Sequence, residues 1–179
     1  MIKRNRVAII GFGVSVFLLL ILLVMDTKGI YLQLGLPSRG ISHRTISILL
    51  IIAAVISAVY LLKDKGMKWM AIGVGIFFIL LTSVPNLVTE TKYTTFSSPD
   101  QSEKFVVIEK GYAKLYQISD SGLFMTTLTK FDTDRGYKPF SEGAYELEWV
   151  SPDTVIINYA FDYKRATDFK TIELQYHND

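Results

Sequence analysis

The stretch ISHRTISILLIIAAVISAVYLLKDKGMKWMAIGVGIFFILLTSVPNLV, residues 41–88, decides how the rest of the chain is read. It holds two apolar runs, Ile41–Leu62 and Trp69–Val88, separated by Lys63-Asp64-Lys65-Gly66-Met67-Lys68. The first run is interrupted only by Ser42, His43, Arg44 and Thr45 at its start and by Ser47 and Ser57 within. The second carries no charge. A hydrocarbon core ~30 Å thick needs about 20 apolar residues in a helix. Both runs meet that length, so residues 41–62 and 69–88 are expected as transmembrane helices joined by a short basic turn.

Toward the N-terminus, Lys3, Arg4 and Arg6 precede the apolar run Val7–Met25. Fourteen of its nineteen residues are Leu, Ile, Val or Phe. Burying them in lipid gains roughly 4–8 kcal/mol, and one central charge would forfeit about 3 of that. A secretory signal peptide has a shorter apolar region ending at small residues. This run ends in Leu-Val-Met25-Asp26-Thr27 instead, so an uncleaved first helix is expected over 7–25.

Short-loop charge sets the expected orientation. Lys3, Arg4, Arg6, Lys63, Lys65 and Lys68 fall on one side, against Lys28, Arg39 and Arg44 on the other. The first side is then cytoplasmic, and three crossings put residues 89–179 outside. Tyr60, Trp69, Lys63, Lys65 and Lys68 are the expected membrane-interface residues, since amphipathic rings and long cationic side chains favour that depth. His43 and Arg44 sit at a helix end and read as anchors, not as an ion path. Small residues at packing spacing, such as Gly11 with Ser15 and Ala71 with Gly75, suit close helix approach. The broken loop Asp26–Gly40 is expected along the outer interface as a helical turn or two. Pro85-Asn86 marks the expected exit of the third helix.

Beyond residue 88 the composition changes. Residues 1–92 carry ten Lys/Arg against three Asp/Glu, and residues 93–179 carry nine against fourteen. The overall +2 therefore describes neither half and gives no support for nucleic-acid binding. No cysteine is present, which excludes disulfides, thiol catalysis and cysteine zinc sites. Residues 89–103 read as a linker rich in Thr, Ser and Pro. From 104 onward the apolar period is two. Tyr145, Leu147 and Trp149 alternate with Glu146 and Glu148, and Val155, Ile157, Tyr159 and Ile172, Leu174, Tyr176 repeat the pattern. Lys104–Glu109, Tyr112–Ile118 and Leu123–Lys130 are rich in β-formers. About six antiparallel strands are expected, as a meander or small sandwich. The fold class is thus three transmembrane helices followed by a small all-β domain.

Candidate chemistry is sparse. Asp132-Thr133-Asp134-Arg135-Gly136, with Glu142 six positions after the glycine, is the one stretch with the look of a calcium loop. Asp132, Asp134 and Glu142 are the candidate metal ligands; a cleft built around them would also admit a hydrolase. Ser98-Pro99-Asp100 and Ser151-Pro152-Asp153 look like the turn of propeller repeats. A propeller needs at least four blades and this length admits two, so shared turn chemistry is the better reading. The histidines, His43 and His177, form no catalytic set, no nucleophile elbow or phosphate loop occurs, and no cofactor is expected. Tyr112, Tyr116, Tyr137, Phe140 and Tyr163 are the aromatic candidates for contact with a partner.

Phe96-Ser-Ser-Pro-Asp100, Lys104-Phe-Val-Val-Ile-Glu109 and above all Pro139-Phe-Ser-Glu-Gly-Ala-Tyr145 resemble a family of small membrane proteins of Bacillus-type bacteria. These pair one or more helices with an exported β-domain of unknown function. The resemblance covers residues 95–160, brings no site residues, and implies a bacterial plasma membrane. The functional expectation is a non-enzymatic integral membrane protein that displays its β-domain to an envelope partner, in a stress or immunity role. The alternative is an accessory subunit of a transporter or channel. The lipid bilayer and a protein are the expected partners.

Overall fold

The computed structural model describes residues 2–87, 89–162 and 168–176, with the backbone alone for 2–4 and 84–87. The chain divides into two units: Met1–Leu32 with Ile41–Val88, and Gln33–Gly40 with Thr89–Asp179.

The first unit is built on three helices, α1 (Ile2–Thr27), α2 (His43–Leu61) and α3 (Lys65–Leu87). All three are long and apolar enough to cross a membrane. α3 begins four residues before the expected Trp69 because Asp64 caps it: its Oδ1 accepts the Met67 N–H at 2.9 Å. Ser42 caps α2 by accepting the Thr45 N–H at 3.3 Å. α3 continues through Pro85-Asn86 to Leu87, one residue short of the expected end at 88. α1 packs on α2, and α2 on α3. Small residues make these approaches possible. A Cβ on Gly11 would stand 3.1 Å from the Ser57 hydroxyl, and one on Gly75 would collide with Val55 Cγ2.

The segment after α1 departs from expectation. It forms strands β1 (Ile30–Leu34) and β2 (Ile41–Ser42), not an interfacial helical turn. Ile30, Leu32 and Leu34 alternate with Tyr31 and Gln33, a period of two that no helix uses. The His43 imidazole Nδ1 accepts the Leu32 N–H at 3.2 Å. Gln33 is 3% exposed, and its Nε2 donates to Gly35 O and Leu36 O, closing the loop on itself.

The second unit is antiparallel β. Residues 104–175 supply six strands, the expected number: β4 (Lys104–Lys110), β5 (Tyr112–Ile118), β6 (Phe124–Phe131), β7 (Tyr145–Ser151), β8 (Thr154–Ala160) and β9 (Phe169–Gln175). A further strand, β3 (Lys92–Ser97), occupies the stretch expected as linker. It forms because Phe96 stacks on Phe105 and every residue of the strand pairs with β4. The strands make two sheets, in the orders β2-β1-β6-β5-β4-β3 and β7-β8-β9. β1 reaches β6 through the Gln33 N–H, which donates to Leu123 O at 2.8 Å. Between β4 and β5 the chain reverses at Gly111, whose φ of +67° suits a residue without a Cβ.

Both sheets turn one face to a shared core. Phe105, Val107, Leu115 and Phe131 come from the larger sheet, and Val155, Ile157, Tyr159 and Leu174 from the smaller. Two aromatic groups dominate. Phe105 contacts Trp149 and Tyr176, while Phe140 contacts Phe131, Tyr145 and Tyr159.

Candidate interaction surface

The turns carry the domain's best-defined polar geometry. Ser98 and Ser151 each donate from Oγ to the Oδ1 of the aspartate two residues on, Asp100 and Asp153, both at 2.5 Å. Asp100 Oδ1 also accepts from the Ser102 N–H and hydroxyl, closing the β3–β4 turn. Asp153 accepts in addition from Thr154 and Gln175. These donors, Ser151 first, hold its carboxyl at about 2. The two Ser-Pro-Asp segments thus share the serine-to-aspartate hydrogen bond, but the first sits in the longer loop between Ser97 and Lys104 and the second in the tight turn between Ser151 and Thr154. Beneath the second, the Tyr176 hydroxyl donates to Pro152 O and its N–H to Asp153 O.

Glu109 is a feature that sequence reading missed. Its side chain is 1% exposed, and its two carboxylate oxygens accept the N–H groups of Phe140 and Ser141. Backbone donors leave no signature in a sequence, so only a charged residue at a core-facing position of β4 hinted at it. A cleft of about 550 Å³ lies beside this turn, lined by Glu90, Lys92, Tyr137, Lys138, Ser141 and Glu142. Its cations are already engaged, since Lys92 and Lys138 both pair with Glu90. Those contacts, the Lys92 hydrogen bond foremost, lower the Glu90 pKa below the ordinary value.

The expected metal loop does not assemble. Asp132 is paired with Lys170 at 2.7 Å, and Lys170 lies over the Phe161 ring. Asp134 opens a 3-10 turn in which Arg135 takes a φ of +46°. Glu142 lines the cleft instead. No group of three His, Cys, Asp or Glu among the described residues is placed to hold a metal ion.

The aromatic candidates divide. Tyr112 is 49% exposed, whereas Tyr116 and Phe140 are 8% and 2% exposed and serve the interior. Tyr137 is half-buried in the cleft wall. Tyr163 and His177 lie outside the described residues. On the helical unit, Tyr60, Lys63, Lys65 and Trp69 are exposed and Lys68 is half-buried.

Comparison with family models, with curated proteins and with solved structures gives no match.

Proposed function

We infer that this chain is a three-span plasma-membrane protein, its N-terminus in the cytoplasm, that holds a small β-domain outside the cell as a non-catalytic binding module. One observation carries the reading. Residues 33–40 and 89–179 belong to a single folded unit, joined where the Gln33 N–H meets Leu123 O. Two helices of membrane-spanning length and apolarity, α2 and α3, lie between those segments in the sequence. A chain that crosses twice returns to the side it left, so the loop after α1 and the domain after α3 can meet. One crossing, or three, would part them.

The direction rests on charge. Six Lys/Arg flank one set of helix ends and three the other, and the richer side is cytoplasmic. The bacterial setting rests on the resemblance of the Pro139–Tyr145 segment. The binding role rests on a folded, acidic domain, with fourteen carboxylates against nine cations in residues 93–179 around one shared core.

The native chain has no cysteine, so single cysteines report sidedness cleanly. In intact cells, a membrane-impermeant maleimide should label Ser121→Cys at once and Lys65→Cys only after lysis. The opposite pattern would reverse the topology and remove the proposal.

A further inference from the structure

A second region of the β-domain has chemistry that the fold does not need. On the hairpin that joins β5 to β6, Lys114 stands directly opposite Lys130. Like charges in that arrangement repel across the shared face of a sheet. Both ammonium groups gather on one ring, that of Tyr112, at 5.3 and 4.7 Å from its centroid. The ion pairs among the described residues engage Lys92, Lys138 and Lys170, and neither Lys114 nor Lys130. Residues 93–179 carry fourteen carboxylates against nine cations, so acids to neutralise this pair were plentiful. The domain nonetheless keeps two lysines together around a half-exposed tyrosine.

We propose that Lys114, Lys130 and Tyr112 form a seat for the phosphate headgroups of net-anionic lipids in the bilayer that anchors the chain; this rests on the membrane reading above. An anion between the two ammonium groups converts their repulsion into attraction. A tyrosine ring with its hydroxyl suits the depth at which headgroups lie. Tether length favours lipid over a distant polyanion. Lys92 pairs with Glu109, and Glu109 with Ala113, which lies between Tyr112 and Lys114. Lys92 follows Leu87, the last residue of α3, by five positions, at most ~18 Å of extended chain. Two strand spacings add only ~10 Å.

The test uses the full chain in nanodiscs, of neutral lipid alone or with phosphatidylglycerol added. Reductive methylation is followed at each lysine by mass spectrometry, with exposed Lys104, at the other end of β4, as internal reference. Anionic discs should slow Lys114 and Lys130 roughly threefold or more relative to neutral discs, with Lys104 unchanged. The protection should vanish near ~0.5 M salt, where screening shortens to a few ångströms. Tyr112→Ala should weaken the protection of both lysines.

Equal rates in the two lipids would overturn the proposal. So would equal protection by inorganic phosphate added to neutral discs, because the occupant would then be a soluble anion. Both faces of a nanodisc are open, so the result does not depend on which side the domain occupies in cells. A failure here is thereby distinct from a failure of the maleimide experiment.

Discussion

The carboxylate of Glu109 on β4 holds the backbone of Phe140, with Oε1 accepting the Phe140 N–H at 3.0 Å while Oε2 takes the neighbouring Ser141 N–H at 2.8 Å. This ties the larger sheet to the turn that feeds β7, and it seats the Phe140 ring against Phe131 and Tyr159. Hydrogen bonds to a charged acceptor contribute about 1.5–3 kcal/mol each, and stranded buried N–H groups cost a comparable amount. Glu109→Ala should therefore lower the stability of the β-domain by about 3 kcal/mol or more. Glu109→Gln retains one acceptor and should cost about half as much. Near-UV circular dichroism of the detergent-solubilised protein, followed through a urea titration, measures both. Equal midpoints for wild type and Glu109→Ala would refute the role.

Acid should loosen the Ser151–Asp153 turn in a defined window. The Asp153 carboxyl is lowered from 3.8 to about 2, first by the Ser151 hydroxyl and then by Gln175 and Thr154. A depressed carboxyl stabilises the fold above its unfolded pKa, and that contribution is lost as pH falls through the folded value. The loss should therefore run between about pH 4 and pH 2. Asp153→Asn should flatten the acid limb of a stability–pH profile in that window and leave the profile above pH 5 parallel to wild type. An unchanged acid limb would assign the carboxylate no part in it.

What the sequence discloses here depends on how local each constraint is. The three helices were legible because length and unbroken apolarity are properties of each run by itself and need no distant partner. β7, β8 and β9 were legible because one buried face forces strict alternation, as in Tyr145, Leu147 and Trp149. β3 was hidden because Phe96 alone on that strand packs against the core cluster. β1 was hidden because its partner at Leu123 lies about ninety residues further along the chain. The aromatic candidates were mixed for the same reason. Tyr112 and Tyr116 are four residues apart on one face of β5, yet only the second is covered. The two alternate Asp residues looked like ligands, but Asp132 was claimed by Lys170, which lies on β9.

That division of the aromatics is measurable. Phe105 is fully buried among Phe96, Trp149 and Tyr176. Phe105→Ala should cost about 3–5 kcal/mol and abolish the near-UV signal of the domain. Tyr112→Ala, at an exposed position, should stay within about 0.5 kcal/mol of wild type. Similar losses for the two would contradict the assigned burial.

The helical unit offers an independent test at Gly75. Val55 on α2 occupies the space that a Cβ at this position would need, and its branched side chain has little rotamer freedom to retreat. Gly75→Ala should push α3 away from α2 and destabilise the detergent-solubilised helical unit by about 1–3 kcal/mol, despite alanine's better helix propensity. Gly73 has open space around its α-carbon, so Gly73→Ala should be neutral or mildly stabilising. The decisive variant is the pair: adding Val55→Ala to Gly75→Ala removes the obstructing methyl groups and should recover more than half of the loss. Far-UV circular dichroism through a thermal ramp reads all four proteins. Equal effects of Gly73→Ala and Gly75→Ala, or no recovery in the pair, would show that Gly75 does not set the α2–α3 approach.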